Sequence, residues 1–268
     1  MRSCLSAVAP VLAVVLLAAV PGAVDFGVPA GASVPPVPVR PKKSSAPVRA
    51  DAAPLPVTAM TAHYGFNGRA GSILDESGNG HTLRVVSFQG GRVRPVVHGP
   101  GTALAFPGRC TERVCPQVAL QSGDSADLNP GKRDVSFGAD VLLGPAQTSS
   151  GQNVLQKGYS TVGSQYKLQI DGSAGHPSCA LVDVRKPAIR VVRSAVTVAD
   201  NRWHRLRCQR TGNRWEIYVD EVLRGRITIP AKLSVVNDQP LSIGGKGFYR
   251  DNDQFNGVLD NVWVRVAR

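Results

Sequence analysis

From Met60 onward apolar and polar residues exchange places with a period of two. The alternation is clear in Val135-Ser-Phe-Gly-Ala-Asp-Val-Leu, Tyr166-Lys-Leu-Gln-Ile-Asp, Trp215-Glu-Ile-Tyr-Val-Asp and Val258-Leu-Asp-Asn-Val-Trp-Val-Arg-Val. Successive side chains of an extended strand point to opposite faces, so each segment predicts a strand with one buried face. Gly, Asn, Asp and Ser interrupt the apolar runs every 8 to 12 residues, the spacing of antiparallel structure. Ser77-Gly-Asn-Gly, Asp171-Gly-Ser, Thr211-Gly-Asn and Gly244-Gly-Lys-Gly are of hairpin type. Beyond the N-terminal apolar run no stretch places apolar residues at three and four spacing for two turns, so helices are not expected. The pattern predicts an all-β, two-sheet antiparallel sandwich of about a dozen strands over residues 60–268.

The segment before Met60 has a different texture. Arg2 precedes an apolar run from Leu5 to Val20, followed by Pro21, Gly22 and Ala23, which together read as a secretory signal. The run is broken by Pro10 and falls short of the roughly 20 residues needed to span a bilayer, so stable membrane insertion after processing is not expected. Ala30 and Ala32 form a further A-x-A pattern, and the signal region is taken as 1–32 with its cleavage point open. Residues 33–59 hold seven prolines, four basic residues and no aromatic residue. Such a segment cannot bury a core and reads as a disordered, extended linker.

The full chain has 268 residues and carries 31 Lys and Arg against 19 Asp and Glu, a net charge of +12. A field of that sign favours acidic partners such as anionic glycans and wall polymers. Eleven basic residues fall between Arg185 and Arg226 against four acidic ones, a local excess of +7. Alternation in Trp203 to Arg210 places Arg205 and Arg207 beside Trp203 on one face and Leu206, Cys208 and Arg210 on the other, buried one. Arginine forks bind carboxylate, sulfate and phosphate bidentately, so Arg205 and Arg207 are candidate ligand-binding residues.

Cys110, Cys115, Cys179 and Cys208 remain after signal removal, an even number in a chain that reads as exported, and predict two disulfides. Of three connectivities the favoured one joins Cys110 with Cys115 and Cys179 with Cys208. On the chain-entropy account the second contributes about 3 kcal/mol and the first about 2. No C-x-x-C pair exists and the five His residues are scattered, which argues against zinc.

Eight ordered fragments carry a resemblance: His63-Tyr-Gly-Phe-Asn-Gly, Asp75-Glu-Ser-Gly-Asn-Gly-His, Gly101-Thr-Ala-Leu-Ala-Phe-Pro-Gly, Asn153-Val-Leu-Gln-Lys-Gly, Asn201-Arg-Trp-His, Ile217-Tyr-Val-Asp, Leu241-Ser-Ile-Gly-Gly and Phe255-Asn-Gly-Val-Leu-Asp-Asn-Val. The chain from about 60 to 268 resembles laminin G-like domains of the concanavalin A-like lectin/glucanase superfamily. The resemblance implies a jelly-roll sandwich. Glu221 departs from it, since the pattern usually has Gly after Tyr-Val-Asp, which puts the tightness of that hairpin in question. Many similar domains hold a structural calcium ion where the first strand meets the last, and the matching positions here are Asn67, Asp75 and Asp260.

Glucanases of this superfamily carry their carboxyl pair in a Glu-x-Asp-x-Glu type run, and none is present. The nearest pairs are Asp220 with Glu221 and Asp251 with Asp253, and neither a Gly-x-Ser-x-Gly elbow nor a Walker loop occurs. No enzyme activity is expected. Phe248, Tyr249, Asp251 and Asp253 lie in one loop that mixes aromatic and acidic groups, a candidate carbohydrate edge. Trp203, Trp215 and Trp263 read as core or half-buried packing rather than a sugar platform. The expectation is a secreted or cell-surface, non-catalytic module that recognises a glycan or an anionic extracellular polymer, with no specific nucleic acid partner. The alternatives are a polycationic adhesion protein and, less favoured, a glycosidase-like enzyme.

Overall fold

The computed structural model describes residues 60–68, 73–185, 188–248 and 250–268. The predicted signal and linker, residues 1–59, lie outside the described residues, as does Tyr249 of the candidate loop. Among the described residues there are fifteen strands, more than the dozen expected, because several edge segments of three to five residues add to the long alternating ones. No described helix is long and apolar enough to cross a membrane.

The strands form two antiparallel sheets. The larger contains β1 (Ala62–Tyr64), β3 (Arg94–His98), β4 (Gly101–Ala105), β6 (Val135–Leu142), β11 (Trp203–Thr211), β12 (Arg214–Val219), β13 (Val222–Thr228) and β15 (Val258–Val266). Its order is β13-β12-β11-β6-β15-β4-β3, with β1 also paired to β15. The smaller contains β2 (Arg84–Phe88), β5 (Gln117–Gln121), β7 (Gly151–Gly158), β8 (Gln165–Asp171), β9 (His176–Val182), β10 (Ile189–Arg193) and β14 (Leu241–Ile243), in the order β10-β9-β8-β7-β14-β5-β2.

The inner faces meet in one apolar core. Trp215, Phe137 and Tyr166 are fully buried at its centre, with the Phe137 ring 4.9 Å from Tyr166 and 5.9 Å from Trp215. The Trp215 indole N–H donates to the Cys179 carbonyl oxygen at 3.0 Å, which satisfies the polar atom of the largest buried side chain. Both expected disulfides are present, Cys110–Cys115 and Cys179–Cys208. Cys179 lies on β9 and Cys208 on β11, so that bond joins the two sheets through the core.

Two of the four predicted hairpin turns, at Asp171-Gly-Ser and Thr211-Gly-Asn, do connect paired neighbours, β8 to β9 and β11 to β12. The Ser77 and Gly244 turns do not, since β1 and β2, like β14 and β15, belong to different sheets. Composition marks a turn but not the sheet to which the chain returns. The hairpin that Glu221 put in question is tight. Val219 pairs with Val222, leaving only Asp220 and Glu221 in the turn, with φ of 52° and 61°. Both residues are left-handed, the conformation of a two-residue turn that Gly usually supplies, at a cost of roughly 1 kcal/mol per non-Gly residue.

Candidate functional site

Each sheet turns an outer face away from the core, and each face carries a depression. On the smaller sheet, alternation in β8 sends Tyr166, Leu168 and Ile170 inward and Gln165, Lys167 and Gln169 outward. Cross-strand pairing extends this into a row: Gln121 opposes Ser242, Ser242 opposes Gln156, Gln156 opposes Lys167, and Lys167 opposes Ala180. These side chains face outward yet are recessed, with Gln156 1%, Gln165 6% and Lys167 7% exposed.

Two loops enclose them: Gln156 and Gln165 donate to the Gly158 carbonyl oxygen at the β7–β8 turn at 3.2 and 3.0 Å, and the loop between β14 and β15 holds the rest. Gln121 Nε2 donates to the Lys246 carbonyl oxygen at 3.2 Å, and the Asn153 amide N–H donates to the Asp253 carbonyl oxygen at 2.7 Å. Lys167 Nζ donates to Asp253 Oδ2 at 3.0 Å, and Lys246 Nζ reaches Asp253 at 3.0 Å and Asp251 at 3.4 Å. The result is a trough of about 460 Å³. Its floor is amide and ammonium, one wall is the Asp251–Asp253 loop, and the other is apolar, formed by Ile189 and Val191 of β10. Phe248 stands exposed on the same loop, edge-on to Phe88 with ring centroids 5.6 Å apart. Of the loop residues named from sequence, Asp251 and Asp253 line the trough and Phe248 does not, while the floor of Gln156, Gln165, Lys167 and Gln169 was not named.

On the larger sheet the depression is a groove of about 650 Å³. Register sets Arg207 opposite Gly138, Gly138 opposite Trp263, and Trp263 opposite His63. A Cβ at Gly138 would run into the Leu206 carbonyl oxygen and would sit 3.2 Å from the Trp263 indole, so the ring leans over a position that must lack a side chain. Arg205 donates from Nε to Asp140 Oδ1 at 3.0 Å, and that carboxylate holds the guanidinium pKa above its ordinary value. Arg207 pairs with Glu221 at 3.2 Å and lies 3.7 Å over the Tyr218 ring.

The arginine-rich stretch does not form one surface. Arg190 and Arg193 lie on β10 of the other sheet, and Arg226 is bound to Glu216 at 2.6 Å. Arg210 is buried, donating to the carbonyl oxygens of Gly212, Leu233 and Ala231. Its place on the Leu206 and Cys208 face was the signal that it is structural.

The carboxylates predicted to hold calcium have protein partners. Asp75 accepts the backbone N–H groups of His63, Ser77 and His81 at 2.9–3.1 Å. Burial works to raise its pKa, but these bonds outweigh it and hold the carboxyl below the usual range. Asn67 Oδ1 accepts the Thr102 N–H at 2.9 Å. Asp260 is 4% exposed, with Oδ2 2.6 Å from His98 Nδ1 and Oδ1 accepting the Asn261 N–H. Burial raises its pKa. Oxygens already used by amide and imidazole groups do not make the six- to eight-oxygen shell a calcium ion needs, so these residues do not fit that ion. Among the described residues no group of three His, Cys, Asp or Glu could hold a metal.

The carboxylate pairs named from sequence are engaged by basic side chains, Asp220 by the His204 imidazole at 2.8 Å, Glu221 by Arg207, and Asp251 and Asp253 by Lys246. A third pair, 120 residues apart in sequence, emerges in register: Asp140 opposes Asp260. Asp140 bonds Arg205 and Asn261, and both oxygens of Asp260 are bonded, so neither is aimed as a free acid into the groove.

With both faces described, the relatives can be set beside them. Residues 124–266 match the Laminin_G_3 family, described as the concanavalin A-like lectin/glucanases superfamily, and the chain belongs to it. No curated protein matches the sequence. The fold is similar to the binding domain of Paraclostridial Mosquitocidal Protein 1, with TM-score 0.57 and 12% identity, over 80% of this chain and 51% of that one. It is also similar to domain 4 of AbnA, a GH43 extracellular arabinanase from Geobacillus stearothermophilus, in complex with arabinotriose: TM-score 0.56, 15% identity, 76% of this chain and 91% of that one. The binding domain of botulinum neurotoxin DC in complex with SialylT gives 0.56 at 10% identity, over 80% and 50%. The chain spans about half the length of the two toxin domains. At these identities the likeness establishes the fold.

Proposed function

We propose that this domain is a non-catalytic glycan-binding module acting outside the cell, and that a saccharide lies in the trough of the smaller sheet. The observation that carries the reading is the row of outward-facing yet recessed amide, ammonium and carboxylate groups, bounded by an apolar wall. A sugar ring offers hydroxyls at its edge and C–H groups on its faces, and sites for such ligands pair a few fixed polar groups with apolar surface. The relatives solved with arabinotriose and with SialylT support a saccharide as the ligand class. The two disulfides and the signal-like N-terminus support an extracellular location.

The polycation alternative is weaker on this geometry. Arg185, Arg193, Arg202, Arg205, Arg207 and Arg226 each stand within 4.0 Å of a carboxylate, which blunts their field. An array of neutral and acidic oligosaccharides tests the proposal with the wild type and a Lys167→Met, Gln169→Ala variant whose melting point is checked alongside. We expect salt-tolerant binding of at least one neutral oligosaccharide, weakened about tenfold or more in the variant. No neutral oligosaccharide retained, or equal binding by the variant, overturns it.

A further inference from the structure

The trough leaves the opposite face unexplained. There the centre of the larger sheet is occupied by an indole lying over a glycine, with charged groups on either side. Trp263 and Arg265 are two residues apart on β15 and so share the outer face, while Val262 and Val264 between and beside them are buried. Arg207 stands on the far side of Gly138, two strands from Trp263, or about 10 Å across the sheet.

Arg265 is exposed and has no ion-pair partner among the described residues, in contrast to Arg205 and Arg207. Arg205 uses Nε and one terminal nitrogen on Asp140, and its side chain remains 53% exposed, so the rest of its fork is open to a ligand. Asn261, Gln209 and Ser136 add short polar groups to the same groove.

Two irregularities shape the rim. The β15 ladder is interrupted between Asp260 and Trp263, where Asn261 adopts φ 46° and turns its amide onto Asp140 at 2.8 Å. At the other end Glu221, with φ 61°, holds Arg207. A bulge that re-aims a side chain and a strained turn residue bracket one groove, and such features are retained where the surrounding structure uses them.

From this arrangement we infer that the groove over Gly138 is a second saccharide site, specific for a carboxylated pyranose: a uronosyl unit whose ring packs on Trp263 and whose carboxylate is held by Arg265 with Arg205 or Arg207. The pyranose is required by the aromatic platform and the ring of hydroxyl partners, and the carboxylate by guanidinium forks whose donor spacing matches its two oxygens. This site stands apart from the trough, and a neutral oligosaccharide array reports on one while an acidic titration reports on the other.

The test is titration of the full chain with trigalacturonate and with polygalacturonate at low and at 150 mM salt, by calorimetry and tryptophan fluorescence. Trp215 is fully buried, whereas Trp203, stacked on His98 at 3.9 Å, shares the outer face of β11 with Arg205 and Arg207, so a change in emission is assigned to Trp263 by its loss in the Trp263 variant. Arg265→Gln, at an exposed position with no ion-pair partner among the described residues, is expected to leave the melting point unchanged and to weaken binding about tenfold, as loss of a charge-assisted bond does. Trp263→Phe should keep binding measurable while removing the fluorescence change. Arg84→Gln, a charge-matched control on β2, should stay within about twofold of wild type, since an exposed charge remote from the ligand contributes little. The inference is overturned if neither galacturonate binds at low salt, if Arg265→Gln and Arg84→Gln behave alike, or if poly-glutamate binds as well as polygalacturonate.

Discussion

The two outer faces solve the problem of placing polar groups on a sheet in opposite ways. On the smaller sheet the polar side chains are recessed and bonded within the protein, Lys167 to Asp253, Gln121 to the Lys246 carbonyl, and Gln156 and Gln165 to the Gly158 carbonyl, so they are held before any ligand arrives. On the larger sheet the groups stand open: Arg265 is unpaired among the described residues and Trp263 is half-buried. A preorganised, largely neutral-summing trough favours shape and hydroxyl pattern, whereas an open cationic groove favours charge. The same alternating strand pattern thus yields two surfaces of different chemistry, decided by which loop returns over which face.

The largest expected effect removes what the faces share. Cys179→Ala with Cys208→Ala deletes the bond between the sheets and should cost about 3 kcal/mol in urea unfolding, a fall in melting point of roughly 6–12 °C for a domain of this size. Next, Gly138→Ala should separate the faces. Its Cβ meets the Leu206 carbonyl oxygen, so about 2 kcal/mol should be lost and acidic binding with it, while neutral binding in the trough persists. A variant with unchanged stability would mean that β11 can move away from Gly138.

Glu221→Gly has the opposite sign. Relief of the left-handed turn should stabilise the domain by roughly 0.5–1 kcal/mol, while loss of the Glu221 carboxylate frees Arg207 and should raise affinity for an acidic saccharide at low salt.

A smaller effect comes from His204, which sits between Asp220 at 2.8 Å and Asp200 at 3.1 Å. Burial lowers its pKa, but the bonds to the two carboxylates prevail and raise it. A group whose folded pKa is raised lends stability that is complete below its unfolded value, about 6.5, and is lost as pH rises through the higher folded one. The wild type should therefore lose stability across that window, and His204→Gln should flatten the slope. The smallest effect is a null: because Asn67, Asp75 and Asp260 are bonded within the protein, EDTA or added calcium should shift the melting point by less than about 1 °C.

Much of the architecture was legible because it is local. Alternation placed Leu206 and Cys208 inside and Arg205 and Arg207 outside, and both disulfides paired as the cysteine count and strands implied. What escaped depends on register between distant segments. Nothing in the sequence around Asp140 or Asp260 indicates that they oppose each other, and the bulge at Asn261 that sets this register has no compositional mark. Trp263, expected to be core or half-buried, is half-buried, with buried Val262 and Val264 on either side of it. The outward Gln165, Lys167 and Gln169 were equally visible, but their recession is not, since periodicity reports which face a residue is on and is silent about what lies over that face.

The bond from Cys179 to Cys208 has a mechanical meaning as well. It ties β9, the neighbour of the edge strand β10 in the smaller sheet, to β11, next to the central strand β6 of the larger. A tether pulling on one outer face and another pulling on the opposite face would load the sandwich in the direction that peels its leaves apart, where only side-chain packing resists. With a covalent strut through the core on that side, tension is carried along the chain's own bonds, and the two leaves can shear or tear elsewhere but cannot be separated at the point where they are joined.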